Sequence, residues 1–116
     1  MKDSGIQIVE QKDVSIISFS YPIEYQNVSN FLEDNSFKRI CKIAGRTKKL
    51  IIDMSNIEYL DCAAIGKIVI LNQILLEKKG ILELTNINKD ISELIFVIGL
   101  DRFLQIYDKG KGTLDP

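Results

Sequence analysis

The chain has 116 residues, with 16 acidic and 15 basic side chains, two cysteines, no histidine and no tryptophan. That length fits one domain and buries enough surface to fold without a disulfide or metal staple. A net charge of -1 supplies no polyanion-binding field, which sets nucleic acid aside, and the missing histidine removes Ser-His-Asp and Cys-His catalysis and most zinc sites.

The two thiols, Cys41 and Cys62, are too few for a cysteine-rich metal site, and no glycine-rich phosphate loop is present. No apolar signal segment opens the chain, and the run Ile68-Val69-Ile70-Leu71 is far short of the ~20 residues that span a bilayer. The expectation is a cytoplasmic protein with reduced thiols, no direct membrane insertion, no cofactor, no metal and no catalytic residue. Spacing allows a Cys41–Cys62 bridge, and the compartment argues against it.

In chain order, Ile6-Gln7-Ile8-Val9-Glu10 alternates as a strand, and Gln11-Lys12-Asp13 makes a polar turn. Residues 14–19 follow as a second strand, completing a hairpin that ends at Pro22. A helical pattern starts at Glu24 with Tyr25, Val28, Phe31 and Leu32, and restarts in another phase at Phe37, Ile40, Cys41 and Ala44. Asp34-Asn35-Ser36 between them favour caps over helix interiors, so a break is expected there, with the helix ending at Gly45. Residues 50–54 form a continuous apolar strand suited to the middle of a sheet.

Asp61 is placed to cap a second helix that stops at Lys78-Lys79-Gly80, where the cations meet the negative end of the dipole. Residues 81–85 give a fourth strand, Asn88 caps a third helix over 89–98 closed by Gly99, and 103–107 give a last strand. The order β-β-α-β-α-β-α-β describes an α/β domain over 1–110, a mixed sheet with helices packed against it. Residues 111–116 are expected to form a loose tail.

The stretch from Leu50 to Gly66, with its turn Asp61-Cys62-Ala63-Ala64, carries the most information. It resembles the central motif of the STAS domain, the fold of bacterial anti-sigma-factor antagonists and of the cytoplasmic tails of sulfate transporters. Leu94-Ile95, Gly99-Leu100-Asp101, Phe103 and Ile106-Tyr107-Asp108 match that family's ending, and the element order matches throughout. In the family the turn usually reads Asp-Ser-Ser-Gly, and a partner kinase phosphorylates the second serine. Here Ala63 stands at that position and offers no oxygen, so the resemblance implies a member whose switch at this turn is absent. Ser55 and Thr47 are the nearest hydroxyls along the chain and read as solvated loop residues.

At ~100° per residue, Ala64, Ile65, Ile68, Val69, Leu71, Leu75 and Leu76 form one broad stripe that must face the sheet, with Asn72 on the same side. Ala63, Ile70 and Ile74 fall almost opposite, with Lys67 among them, as a strip for docking or an aliphatic face covered by a neighbouring element. In the family this side of the helix and the preceding turn meet the partner. Ser55, Asn56, Asp61, Cys62, Ala63, Lys67, Ile70 and Ile74 are therefore the candidate partner-binding residues. The simpler roles are an N-cap for Asp61 and a small half-buried side chain for Cys62. On the third helix Ile91, Leu94, Ile95 and Ile98 make the core stripe and leave Phe96 aside, as an interface anchor or packed under the C-terminal segment.

Three functions compete. The first is a non-catalytic module binding an anti-sigma factor of kinase type or another signalling protein, with a homodimer also compatible. The second is an accessory subunit of a transporter or larger signalling assembly. The third is a phosphoacceptor receiver using Asp53, which would need an acidic pair after the first strand to hold Mg²⁺, where Glu10 is isolated and the hairpin start does not fit a receiver's opening strand-helix unit. No residue nominates a small enzyme or a nucleotide site.

Overall fold

A computed structural model describes residues 5–102, 105–108 and 112–113, the last two stretches by their backbone. Strands β1 (Ile6–Glu10) and β2 (Val14–Phe19) form the expected hairpin, antiparallel, with Ile6 opposite Phe19. Strands β3 (Lys49–Asp53), β4 (Ile81–Ile87) and β5 (Gln105–Asp108) then join β2 in parallel, one after another. A short β6 (Gly112–Thr113) pairs antiparallel with β5, giving a six-stranded sheet in sequential order. Of the segment expected as a tail, Gly112 and Thr113 are the described residues, and the rest lies outside them. Phe103 lies outside the described residues.

Sequential order fixes where the helices go. Each parallel connection crosses over right-handedly, so α1 (Asp34–Ala44), α2 (Cys62–Glu77) and α3 (Lys89–Val97) all cover the same face of the sheet. On that face Ile17, Phe19, Leu50, Ile52, Leu82 and Leu84 are buried. The other face holds half-exposed Val9 beside Ile16 and Ile51, with Lys49 and Glu83 paired across it at 2.7 Å.

Four expectations need correction. The first helical pattern is a 3-10 helix over Tyr25–Asn30 followed by α1, not one helix interrupted at 34–36. The break lies at 31–33, where Leu32 takes a left-handed backbone (φ 52°) with its side chain fully buried. Glu33, not Asp34, caps α1 by accepting the Ser36 N–H at 2.9 Å. Asp34-Asn35-Ser36 form the first helical turn, where short polar side chains are also favourable, so composition alone did not separate the two placements.

Thr47 is buried rather than solvated. Its hydroxyl hydrogen-bonds the Asp13 carbonyl at 2.9 Å and meets Ser15, tying the β1–β2 turn to the approach of β3. Leu76 is 52 % exposed, outside the core stripe of α2: Leu75 beside it takes the fully buried position, and the helix turns Leu76 about 100° away from it. Ile98 is exposed for the same reason as its neighbours: α3 ends at Val97, and Phe96, Val97 and Ile98 leave the core together. Asn72 is buried on the core side, and no buried side-chain polar atom among the described residues lacks a hydrogen-bond partner.

Candidate functional site

The loop from β3 to α2 is held by its own polar groups. The Asp53 carboxylate accepts the Ser55 N–H at 3.0 Å and the Asn86 amide at 3.1 Å. Asn56 donates its side-chain amide to the Phe19 carbonyl at 2.7 Å, and Asn88 donates to the Ile57 carbonyl at 3.1 Å. Ile23 and Glu58 add two backbone hydrogen bonds, Ile23 N–H to the Asn56 carbonyl and Glu58 N–H to the Ile23 carbonyl. The segment before the 3-10 helix and the loop before α2 are therefore one stitched unit.

Asp61 then caps α2, its Oδ1 accepting the Ala64 N–H at 2.9 Å. This is the cap expected from its position. Cys62 and Ala63 follow as the first two helical residues, both exposed. Cys62 and Cys41 are free thiols, and partial burial pushes the Cys41 thiol above its ordinary pKa.

The apolar strip on α2 divides. Ile70 is 45 % exposed and Ala63 is open to solvent, whereas Ile74 is half-buried and packs against the core. α1 lies alongside α2, and Ile74 falls two helical turns after Lys67, on the flank of α2 that faces α1. Lys67 is on that flank too. Its Nζ donates to the Leu32 carbonyl at 2.7 Å, lies 4.0 Å from an Asp34 carboxylate oxygen, and sits 5.7 Å from the Phe37 ring centre. Lys67 thus braces the left-handed turn that admits the chain to α1, an assignment its spacing on α2 did not suggest. Asn56 likewise spends its amide on the Phe19 carbonyl at the end of β2.

Between the 3-10 helix, the start of α1 and the start of α2 lies a groove of about 620 Å³. Ser29, Phe31, Asp34, Asp61, Ala63 and Lys67 are among its lining residues. Beside it, Tyr25 and Tyr59 meet edge-on with ring centres 5.2 Å apart, Tyr25 being largely exposed. Asp61, Ala63 and Lys67 were among the expected site residues, whereas Tyr59, three residues before α2, and Tyr25, Ser29, Phe31 and Asp34 were not. Tyr25, Ser29, Phe31 and Asp34 lie about thirty positions before α2 along the chain, and the stitching of the preceding segment to the loop brings them to it.

Glu10, the acid a receiver site would need, bonds Arg46 at 2.8 and 2.9 Å. It ends the antiparallel strand β1, so it lies at the opposite end of the sheet from Asp53. Among the described residues no group of acids or thiols is arranged to hold a metal ion, and no helix is long and apolar enough to cross a membrane.

A parallel sheet opened by a hairpin, with three helices on one face and an aspartate-capped α2, defines a STAS-type domain. The STAS domain family matches residues 5–111, and the chain belongs to it. Solved structures agree on the fold. An anti-sigma factor antagonist from Mycobacterium paratuberculosis superposes with a TM-score of 0.68 at 19% identity, over 88% of this chain and 83% of that one. The Bacillus cell-fate determinant SpoIIAA in its phosphorylated form gives 0.61 at 13%, over 87% and 89%. The murine anion transporter Slc26a9 gives 0.58 at 20%, over 87% of this chain but 17% of that one.

Proposed function

We infer that the chain is a non-catalytic interaction module of the anti-sigma-factor-antagonist kind. It binds a protein partner, an anti-sigma factor of kinase type being the class that fits best, through the start of α2 and the loop before it. The observation that carries this reading is the exposure of Cys62, Ala63 and Ile70 on a rigid, capped helix beside an open groove. A preformed surface of small and aliphatic side chains can be covered by a partner at little ordering cost. With alanine at position 63, docking at this turn is not switched by phosphorylation of that residue.

Ala63→Glu tests the reading. A carboxylate in the first turn is favourable to the helix dipole, so the fold should survive and the melting temperature should hold. Affinity for the anti-sigma factor should fall at least about tenfold, because the new charge must be desolvated against the partner. Unchanged affinity would place docking elsewhere.

A second reading, an accessory STAS subunit of a transporter, is favoured by the superposition on Slc26a9. Co-purification with a membrane transporter, retained by Ala63→Glu, would select it.

A further inference from the structure

The groove contains a hydroxyl that chain position hides. Ser29 lies 34 residues before Ala63, yet the two line the same groove, and Ser29 carries the sole hydroxyl among its lining side chains. From Ser29 and the groove around it, we propose that Ser29 is the phosphoacceptor of this chain, modified by an ATP-dependent protein serine kinase.

Four observations support the assignment. Ser29 is exposed, as an acceptor must be. It belongs to the 3-10 helix Tyr25–Asn30, which buries none of its residues and contains a non-helical Asn27 (φ -126°, ψ 21°). Such a segment can be drawn locally into the extended form a kinase cleft requires without opening the core. The groove also holds one ammonium, that of Lys67, which donates to the neutral Leu32 carbonyl and lies 4.0 Å from an Asp34 carboxylate oxygen, and a phosphate of charge ~-2 on Ser29 would compete with both for it. Finally, Glu33, Asp34 and Asp61 line the same groove, so a further charge of ~-2 would raise an already acidic field beside Ala63 and repel an acidic partner surface.

In the transfer, the Ser29 Oγ forms a bond to the γ-phosphorus of ATP while the bond from that phosphorus to the ADP oxygen breaks. The hydroxyl proton passes to a base of the kinase. The product charge then draws Lys67 from Leu32, releasing the brace on the left-handed turn at the start of α1. Phosphorylation would thus alter both the charge and the shape of the docking end.

The regulatory half of this proposal rests on the interaction-module reading, and two measurements separate their failures. The first is phosphosite mapping by tandem mass spectrometry on the full chain recovered from its own cells, in growth and after starvation. The expected result is phosphate on Ser29, lost in Ser29→Ala. Phosphate confined to other residues, or absent in both states, overturns the proposal. The second is titration of a purified kinase-type anti-sigma factor with the unmodified chain, with Ser29→Ala, and with the chain carrying phosphoserine at position 29. Equal binding by the first two and at least about tenfold weaker binding by the third supports the switch. Equal binding by all three overturns it, whereas failure of the unmodified chain to bind rejects the interaction reading and leaves the mapping result standing.

Discussion

Ile70 and Ile74 are four residues apart on α2, yet a carboxylate would meet different surroundings at each. At Ile70 it would point to water, so Ile70→Glu should change stability by only about 0.5 kcal/mol. At Ile74 it would enter the seam beside α1, and Ile74→Glu should cost roughly 2 kcal/mol or more through an unpaired, half-buried charge. Thermal melts of the two variants check this contrast, and matching losses would mean that the seam is open. The thiols divide in the same way. Cys62 is exposed while Cys41 is half-buried with a raised pKa, so a colourimetric thiol reagent should label Cys62 quickly and Cys41 slowly in the native protein, and both after unfolding. Equal native rates would contradict the burial of Cys41. Asp61 was legible in the sequence because a cap bonds an amide three residues away. Ile74, Lys67 and Thr47 were not, because what decides their exposure is contributed by other elements: α1, the turn at Leu32, and the β1–β2 hairpin.

The elements themselves follow from local rules wherever the chain is regular. The two strands of the hairpin, the capped starts of α2 and α3 and the apolar run of β3 fall within a residue of their expected places. The 3-10 helix is the exception, since its apolar spacing suits an α-helix whereas Asn27 leaves helical geometry and bonds back to the Glu24 N–H and the Pro22 carbonyl. The exit from α2 is another place where packing rules. Lys79 takes a left-handed backbone (φ 64°) and Gly80 passes close to β3, so that an added Cβ would lie 2.8 Å from the Lys48 carbonyl oxygen. Gly80→Ala must push backbone apart and should destabilise by ~1–3 kcal/mol in a denaturant titration, and a neutral result would show that the strand can yield.

The Arg46 pair adds a pH signature at the far end of the sheet. The hydrogen bond from Arg46, aided by its charge and opposed by slight desolvation, holds the Glu10 carboxyl below its ordinary pKa. A carboxyl lowered on folding stabilises above its unfolded pKa, and that contribution fades as pH falls through the lowered value. Arg46→Ala should therefore lose stability relative to wild type near neutral pH and approach it in acid. Parallel urea curves at the two pH values read the difference, and a gap that persists in acid would assign the loss to packing.

At the scale of the whole molecule, sequential strand order commits all three helices to one face of the sheet and leaves the helix starts together at one end. That end gathers the capped loop, the groove and the exposed first turns of α2, which is why residues far apart in the chain form one surface. The sequence made the fold and the α2 half of the site legible, through the motif around Asp61 and the family resemblance. It hid the groove's other wall, because Ser29, Phe31 and Glu33 carry no local pattern that points toward α2. Two other apolar surfaces could compete for a partner: the bare sheet face around Val9, Ile16 and Ile51, and the end of α3 at Phe96, which is 70 % exposed. Amide hydrogen exchange of the chain, alone and with a bound kinase-type anti-sigma factor, distinguishes these surfaces directly. The expected result is protection concentrated in the loop before α2 and its first turns, around Tyr59, Ala63 and Ile70. Protection confined to β1 and β2, or to the end of α3, would contradict the account.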